Sequence, residues 1–415
     1  MVISYLLAVT TLIVGAGRLG DILGRRRVLL FGIGTFALVS TCGAFAPNLW
    51  SLVAIRGVQG LGAAIMMALT VASVSDMVPK DLTGSAMGLL GTVSAVGTAL
   101  GPTLGGLLIN ALGWPAVFGL MAVAAAAAFV FAARVFPSDA PQKPNPFAFD
   151  VRGMMLLAFS LGAFALSTTS GGAAPGMANI ALAVLALVGM VGFVAVERRS
   201  PVPLVHLALL QDRALSAGLL SLALISTIMM ATLVVGPFYL SRIIGLSAVH
   251  TGFVMSIGPG VAALTGLPAG RLVDRFGEAN VTYTGLLAVV MGSFLMMMLP
   301  GACGVAGYIG SLAIITAGYS LFQVANTTAV MKGATSERRG VTSALLGLSR
   351  NLGLITGASA MGAVFTFGSM SESLSWLGNG GEAGLRLTFA VALPLASAAL
   401  CVAVFGRRHR PLPHM

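Results

Sequence analysis

Charged residues are scarce in this sequence. Only 8% of its 415 residues are Asp, Glu, Lys or Arg, whereas soluble domains contain about 25%, so a water-soluble globular protein is excluded. Long uncharged apolar runs recur along the whole chain, and each can cross about 30 Å of hydrocarbon as a helix of about 20 residues. A membrane β-barrel would show short alternating segments instead. We therefore expect an all-α integral membrane protein.

Other chemical signatures are also missing. The three cysteines are far apart and lack metal-like spacing, which predicts free thiols and no metal site. No Gly-x-x-x-x-Gly-Lys-[Ser/Thr] phosphate loop is present, and no nucleophile, base and acid fall at a common depth, so we expect no enzyme and no cofactor. The net charge is +11, but the basic residues are scattered along the chain, which argues against nucleic-acid binding.

Apolar windows between charges and turn residues predict thirteen helices. The first window continues into Gly17-Arg18-Leu19 without a cleavage site, so we interpret it as a helix and not as a signal peptide. A Pro-rich hydrophilic connector, Pro137–Phe149, separates the fifth helix from the sixth. The predicted helices lie near residues 2–16, 28–46, 50–77, 84–109, 115–136, 151–170, 177–197, 214–240, 247–270, 279–299, 304–331, 341–366 and 387–406.

Basic residues mark one side of the membrane. Of the 23 Lys and Arg, 19 fall in alternate connections between the predicted helices, and the positive-inside rule assigns those connections to the cytoplasm. This pattern predicts that Met1 lies outside and that the C-terminus is cytoplasmic. The Trp residues fall at the outer helix ends, as an interfacial aromatic belt would place them: Trp50, Trp114 and Trp376.

The chain contains a weak internal repeat. Residues 17–24 recur as residues 270–277 with Gly, Arg, Leu, Asp and Gly in register, and residues 84–106 match residues 340–362. Parallel repeats around a central substrate site are typical of one class of secondary transporters. The repeated loop follows the second helix of the second half but the first helix of the chain, so we expect one helix to be missing at the N-terminus. The predicted domains are a five-helix half, a connector with two extra linker helices, and a six-helix half, at residues 1–136, 137–200 and 201–415.

Three motifs occur in order along the first half. They are Gly17-Arg18-Leu19-Gly20-Asp21-Ile22-Leu23-Gly24-Arg25-Arg26-Arg27, Arg56-Gly57-Val58-Gln59-Gly60 and Gly97-Thr98-Ala99-Leu100-Gly101-Pro102-Thr103-Leu104-Gly105-Gly106. The chain thereby resembles the major facilitator superfamily, and within it the 14-spanning drug:proton antiporters, over its whole length. The resemblance implies a two-fold pseudo-repeat helical bundle of about 13 transmembrane helices, which is 14 minus the first. Ile22 departs from the family pattern, which usually has Arg there.

The first motif predicts a conformational latch, because a carboxylate can pair with neighbouring cations or face a helix N-terminus. The alternative is that its basic residues only anchor a tight cytoplasmic turn. The residues assigned to the latch are Gly17, Arg18, Asp21, Gly24, Arg25 and Arg26, with Gly270, Arg271 and Asp274 from the repeat.

Two arginines fall inside predicted helices, where a charge is costly unless it faces the bundle or a wet cavity. Arg56, with Gln59 on the same face, and Arg350 are therefore predicted to have intramembrane charge or coupling roles. Arg56 could instead snorkel to the outer headgroups, whereas Arg350 is too deep to do so easily.

The third motif predicts close helix packing. Gly97, Gly101 and Gly105 recur every four residues and favour a close helix contact, and Pro102 favours a kink beside it. With Gly106 they form the antiporter-type packing motif, which we expect to act as a hinge during alternating access.

A polar stripe at i, i+4, i+7 spacing and several large apolar residues could line a substrate path. The stripe could instead serve only interhelical hydrogen bonds, and the apolar residues could be ordinary packing or lipid-facing side chains. The candidate substrate-path residues are Tyr319, Gln323 and Asn326 for the stripe, and Met66, Met230 and Phe238 for an adaptable apolar wall.

These features favour a secondary active transporter that exports hydrophobic small molecules across the bacterial cytoplasmic membrane by alternating access. Proton antiport is implied by the resemblance alone, because all twelve acids map to loops or helix ends, whereas proton relays usually use buried carboxylates. The alternatives are a metabolite uniporter or symporter and a truncated, inactive or regulatory membrane protein. We expect a monomer whose partners are the bilayer, the substrate and protons; the sequence identifies no periplasmic adaptor.

Overall fold

A computed structural model shows helices and connecting turns, with no strand among the residues that it describes, which are 2–137, 150–169, 176–200, 203–371, 378 and 380–407. All but the first residue of the predicted connector Pro137–Phe149 lies outside the described residues, as does Trp376. The helices are α1 (Val2–Leu23), α2 (Arg25–Ala44), α3 (Leu49–Met77), α4 (Thr83–Leu112), α5 (Pro115–Val135), α6 (Val151–Thr169), α7 (Met177–Glu197), α8 (Arg213–Phe238), α9 (Ala248–Phe276), α10 (Glu278–Gly333), α11 (Arg339–Met370) and α12 (Gly381–Arg407).

The outer surface of the bundle is apolar. Twelve helices in the described part of the chain are long and apolar enough to cross a membrane. Large apolar side chains such as Leu38, Val123, Leu187 and Leu264 are exposed on them. Apolar surface of this kind is unfavourable in water and favourable in hydrocarbon. The all-helical membrane fold expected from the sequence is therefore confirmed.

The longest helix, α10, folds back on itself. Gly304 has φ 57° and ψ −132°, which interrupts the helix in the gap expected near residues 299–304. Glycine adopts a positive φ without the steric cost of a side chain. The two arms pack so closely that a Cβ on Gly318 would lie 2.7 Å from the Gly285 carbonyl oxygen. α10 is therefore a helical hairpin, and the count of thirteen spans stays a prediction.

The bundle has two large buried clusters, one centred on each half. In the first half, α1 and α3 bury Ile13 and Leu69 completely, α6 and α7 pack onto the same cluster, and α11 of the second half joins it. In the second half, α8, α10 and α12 bury Ile225, Leu286 and Phe389. Helices within a bilayer associate through close van der Waals packing of this kind and not through removal of apolar surface from water, so the first cluster also joins the two halves.

The structure corrects two predicted loops. Residues 17–24 and 270–277 are helical as far as Leu23 and Phe276. Only Gly24, with φ 99°, and Gly277, with φ 81°, leave the helix, and both need the positive φ that glycine allows. The prediction ended each helix where its apolar run ended. The backbone hydrogen bonds of a helix continue past that point through charged residues, because they do not depend on apolar side chains.

Candidate functional site

Asp21 lies near the end of α1 and binds the first turn of α11. Its Oδ1 accepts a hydrogen bond from the Gly340 amide at 2.9 Å, and its Oδ2 accepts one from the Val341 amide at 3.0 Å. The first amides of a helix have no partner within the helix, and the positive end of the helix dipole favours an anion there. Asp21 therefore joins a helix of the first half to a helix of the second.

The repeat makes the same contact in the opposite direction. Asp274, near the end of α9, accepts hydrogen bonds from the Gly84 amide at 2.8 Å and from the Ser85 amide at 2.7 Å, at the start of α4. The Ser85 hydroxyl donates to the same carboxylate. Each half thus supplies the acid that caps a helix of the other half. We call the Asp21 and Asp274 contacts the reciprocal caps.

Glycines allow the capped helices to cross closely. A Cβ on Gly17 would lie 2.4 Å from the Gly340 carbonyl oxygen, and a Cβ on Gly270 would lie 2.4 Å from the Gly84 carbonyl oxygen. Real Cβ atoms essentially never come within 3.0 Å of another heavy atom, so only glycine fits at these crossings. Both crossings lie at one end of the bundle, which we call the arginine end after its residues Arg25, Arg271 and Arg339.

An ion-pair network surrounds the Asp21 cap. Arg25 Nη2 lies 2.9 Å from Asp21 Oδ1, and Arg25 Nη1 pairs with Asp76 at the end of α3. Arg339 of α11 pairs with the other oxygen of Asp76 and donates to the Ser75 carbonyl at 3.2 Å. Asp76 therefore bridges an arginine from each half. Sequence reasoning missed it, because a single acid at a predicted helix end belongs to no recognisable motif.

The described contacts do not pair Arg18 or Arg26 with Asp21, which corrects that part of the predicted cluster. Arg26 donates to the Ala133 carbonyl at 2.7 Å and ties α2 to α5. Within the described residues, Arg18 forms no hydrogen bond or ion pair with Asp21, and its Nε is buried without a partner. Arg25, which follows the break in the helix at Gly24, is the arginine of this motif for which the described contacts show an ion pair with the Asp21 carboxylate.

A buried carboxylate, Glu197, and a half-buried one, Asp150, lie near Arg18, where α7 ends and α6 begins. Glu197 is 4% exposed; one of its oxygens accepts a hydrogen bond from the Val205 amide, and its Oε2 has no partner among the described residues. The Oδ2 of Asp150 is unpaired in the same way. Burial lowers the pKa of His206, which follows Val205, below the ordinary 6.5. No pattern in the sequence indicated this cluster, because its members come from separate segments.

Arg56 is held inside the first half. Its Nη1 donates to Gln59 Oε1 at 2.9 Å, and its guanidinium lies 4.7 Å from the centre of the Phe118 ring. Gln59 is fully buried and donates to the Ser40 hydroxyl at 2.7 Å. A charge in hydrocarbon needs such polar and aromatic partners. The structure thus places Arg56 and Gln59 together, and their coupling role stays a prediction.

Two adjoining cavities lie between the halves. Their volumes are about 160 Å³ and about 330 Å³, and side chains from α4, α8, α10 and α11 line both. Apolar side chains and hydroxyl groups form the walls, and no Asp or Glu of the described chain lines either cavity. The residues that line both cavities are Gly91, Ser94, Gln323, Val324 and Arg350.

The predicted polar stripe only partly faces this space. Tyr319 and Gln323 line the smaller cavity. Asn326 lines neither cavity and donates from Nδ2 to the Gly218 carbonyl at 3.1 Å. For Asn326 the structural alternative, an interhelical hydrogen bond, is therefore correct, because this residue lies about 10 Å further along α10 than Tyr319.

Of the three residues in the predicted apolar wall, one lines one of the two cavities and the other two line neither. Met66 lines the larger cavity. Met230 lines neither cavity and packs against α11, where a Cβ on Gly357 would lie 2.8 Å from the Met230 Cβ. Phe238 is 45% exposed and lies 6.4 Å from Phe365, ring centre to ring centre. Composition identified large apolar side chains, but it did not give the direction in which each one points.

The glycine face of α4 is open in this conformation. A Cβ at Gly97, Gly101, Gly105 or Gly106 would meet no heavy atom within 4 Å. This contradicts the predicted close helix contact at these four positions; the close approaches of α4 to α9 that the glycines show lie at Gly84 and Gly88, near the beginning of α4. The side chain of Pro102 lies outside what the structure describes, and the hinge role of the motif stays a prediction.

Comparison with known proteins identifies the family. Residues 1–358 match the Major Facilitator Superfamily. The multidrug transporter protein MdtP of Bacillus subtilis is 28% identical over 364 residues, covering 87% of this chain and 67% of MdtP. The multidrug resistance protein Stp of Mycobacterium tuberculosis is 28% identical over 368 residues, covering 88% of this chain and 68% of Stp.

The solved structure of the human organic anion transporter MFSD10 is similar in fold. It has a TM-score of 0.68 and 18% identity, covering 97% of this chain and 82% of the human one. An identity this low shows the fold alone. With the family match across most of the sequence, this chain belongs to the Major Facilitator Superfamily and is a membrane transporter rather than an enzyme.

Proposed function

We propose that the chain exports hydrophobic small molecules, drugs among them, across a bacterial cytoplasmic membrane by alternating access. The proposal rests on the two adjoining cavities, which we call the central cavities and which side chains from both halves line. The reciprocal caps and the glycine crossings join the two halves and close the bundle at the arginine end. The similarity to MdtP and Stp, both named for multidrug transport or resistance, supports drugs as the substrate class.

The cavity walls suit varied apolar substrates. Met229, Met255 and Leu312 line the smaller cavity, with Thr98 and Thr316 between them. Methionine side chains are flexible and polarizable, so they adapt to ligands of different shape. Scattered hydroxyl groups can then hydrogen-bond a polar group on the ligand without fixing one geometry.

We infer that the arginine end faces the cytoplasm, on the positive-inside rule. In the described conformation the reciprocal caps and glycine crossings close that end, while the glycine face of α4 is open further along. Export then needs one transition: the caps break, the halves separate at the arginine end, and the cavity becomes accessible from the cytoplasm.

We infer that proton entry drives this cycle, and the resemblance to drug:proton antiporters supports this coupling. A proton on Asp21 or Asp274 would remove the charge that strengthens the cap hydrogen bonds. Proton binding at a cap and separation of the halves are therefore thermodynamically linked.

Everted membrane vesicles from an efflux-deficient bacterium test the proposal. With a pH gradient imposed and followed by acridine orange, addition of ethidium, which is a cation, or of chloramphenicol, which is neutral, is expected to dissipate the gradient in vesicles that contain the protein. Gly17→Leu, which cannot fit the α1–α11 crossing, should abolish the signal, whereas Gly252→Leu, at a position where a Cβ meets no atom within 4 Å, should keep it. Equal signals with and without the protein for both drugs would refute drug:proton antiport.

A further inference from the structure

Arg350 lies deep in the bundle, and its guanidinium has no partner among the described residues. It is 11 residues beyond Arg339, the first residue of α11, which places it about 16 Å along the helix, near the middle of a hydrocarbon layer of about 30 Å. In the described part of the chain it has no hydrogen bond, ion pair or ring contact, and its Nε is buried. A desolvated cation without a partner is costly.

Arg56 shows how this chain satisfies an interior arginine when no ligand is needed. Gln59 accepts its hydrogen bond and Phe118 lies beneath its guanidinium. Nothing equivalent surrounds Arg350 among the described residues, although this side chain lines both central cavities. Among the described residues, Arg350 is therefore the interior arginine that is free to bind a ligand in the cavities.

Two hydroxyl groups beside the cavities are unpaired as well. Ser343 lies two turns before Arg350 on the same face of α11 and lines the larger cavity, and Thr316 of α10 lines the smaller one. Both are buried, at 2% and 3% exposure, and neither hydroxyl has a hydrogen-bond partner within the described residues. Hydroxyl groups can donate as well as accept hydrogen bonds. The Ser343 and Thr316 hydroxyl groups are therefore available as hydrogen-bond donors beside cavities that no carboxylate of the described residues lines.

We propose that the two central cavities bind organic anions. One carboxylate, sulfonate or phosphate group of such an anion pairs with Arg350, and its apolar body lies against the methionine-containing wall. The proposal rests on the proposed export function and names its substrate class. The guanidinium fork can bind two oxygens of one oxyanion. Ser343 and Thr316 are placed to donate to an anion or to a water beside it, and a bound anion replaces the counter-charge that the cavity lacks.

Three probes with one apolar body separate charge from hydrophobicity: pyrenebutyrate, which is anionic, pyrenebutanol, which is neutral, and pyrenebutyl trimethylammonium, which is cationic. Their affinities for the purified chain in detergent can be measured by fluorescence, with protein-free micelles as the blank. We expect pyrenebutyrate to bind about tenfold or more tightly than the cation, since a hydrogen bond to a charged group has about that effect.

The variants assign the preference to one residue. Arg350→Gln should bring the affinities for anion and cation to within about threefold of each other, and Arg198→Gln, which removes an exposed charge outside the cavities, should leave the preference intact. Arg350→Lys keeps the positive charge but lacks the planar guanidinium group that can bind two oxygens, so its preference for the anion should be weaker. If Arg350→Gln is not monodisperse on gel filtration, Arg350→Lys is the variant that tests the proposal. A full tenfold preference for the anion in Arg350→Lys would refute the role of the guanidinium group.

Two results would overturn the inference: tighter binding of the cation than of pyrenebutyrate, or an unchanged preference in Arg350→Gln. Vesicle assays keep this test separate from the export function. Export of ethidium without anion preference in binding would leave export standing and refute the anion site. Anion preference without any export would support the site and refute the proposed function.

Discussion

Gly270→Ala tests whether the glycine crossings hold the arginine end closed. The new Cβ would lie 2.4 Å from the Gly84 carbonyl oxygen and 2.8 Å from the Ser85 Cα, so α9 must move away from α4 by more than half an ångström. Overpacking of this kind costs about 1–3 kcal/mol, and only the closed conformation bears that cost. Because about 1.4 kcal/mol corresponds to a factor of ten, the ratio of closed to open molecules should fall by about 5- to 140-fold.

The distance between spin labels across the arginine end measures this ratio directly. After replacement of the exposed Cys42, Cys303 and Cys401, labels at Lys80→Cys and Arg275→Cys report on the two sides of the α4–α9 crossing by pulsed electron resonance. We expect a longer distance to gain population in Gly270→Ala. Gly252→Ala adds the same methyl group to α9 where no atom lies within 4 Å and should not change the distribution. An unchanged distribution in Gly270→Ala would refute the argument from packing.

Three further predictions follow from the same end of the bundle. Asp21→Asn should reduce transport by roughly tenfold at unchanged membrane abundance, since it loses charge-assisted bonds, whereas Asp212→Asn, at a cap within its own segment, should not; normal transport in Asp21→Asn would contradict the latch. Glu197→Gln should raise the melting temperature, because its amide can donate towards the unpaired Asp150 oxygen; a lower melting temperature would contradict this. The pKa of His206 is below its unfolded value of 6.5, so the folded state binds this proton less readily and stability should decrease as the pH falls below 6.5. His206→Gln should therefore reduce the loss of melting temperature between about pH 7.5 and about pH 5.5, and an equal loss in both proteins would refute the effect.

The fold could be predicted because hydrophobic length is a strong signal. A run of about 20 apolar residues has few structural options in a bilayer, and the gap predicted near residues 299–304 contains the real break at Gly304. The repeat also identified Asp21 and Asp274 as equivalent. It could not show what they bind, because their partners lie about 320 and 190 residues away in the chain.

The direction of individual side chains was the main source of error. The i, i+4, i+7 rule put Asn326 on one stripe with Tyr319, although this residue belongs to an interhelical contact. The every-four-residue glycines at positions 97–105 of α4 suggested close packing that this conformation does not have, whereas the equally spaced pairs Gly84/Gly88 and Gly266/Gly270 do pack closely. Close packing between distant helices depends on where they cross, and periodicity within one helix does not contain that information.

The exchange of caps has a consequence for the origin of the fold. In a symmetric dimer of identical subunits, a residue that contacts the partner at one position receives the same contact in return. Asp21 on Gly340 and Asp274 on Gly84 have this pattern, since residues 17–24 match 270–277 and residue 84 matches residue 340. A single ancestral half could therefore have paired with a second copy of itself and formed both contacts before the gene duplicated. The same match pairs Arg350 with Ser94, so the two halves now differ at this position of the cavity wall.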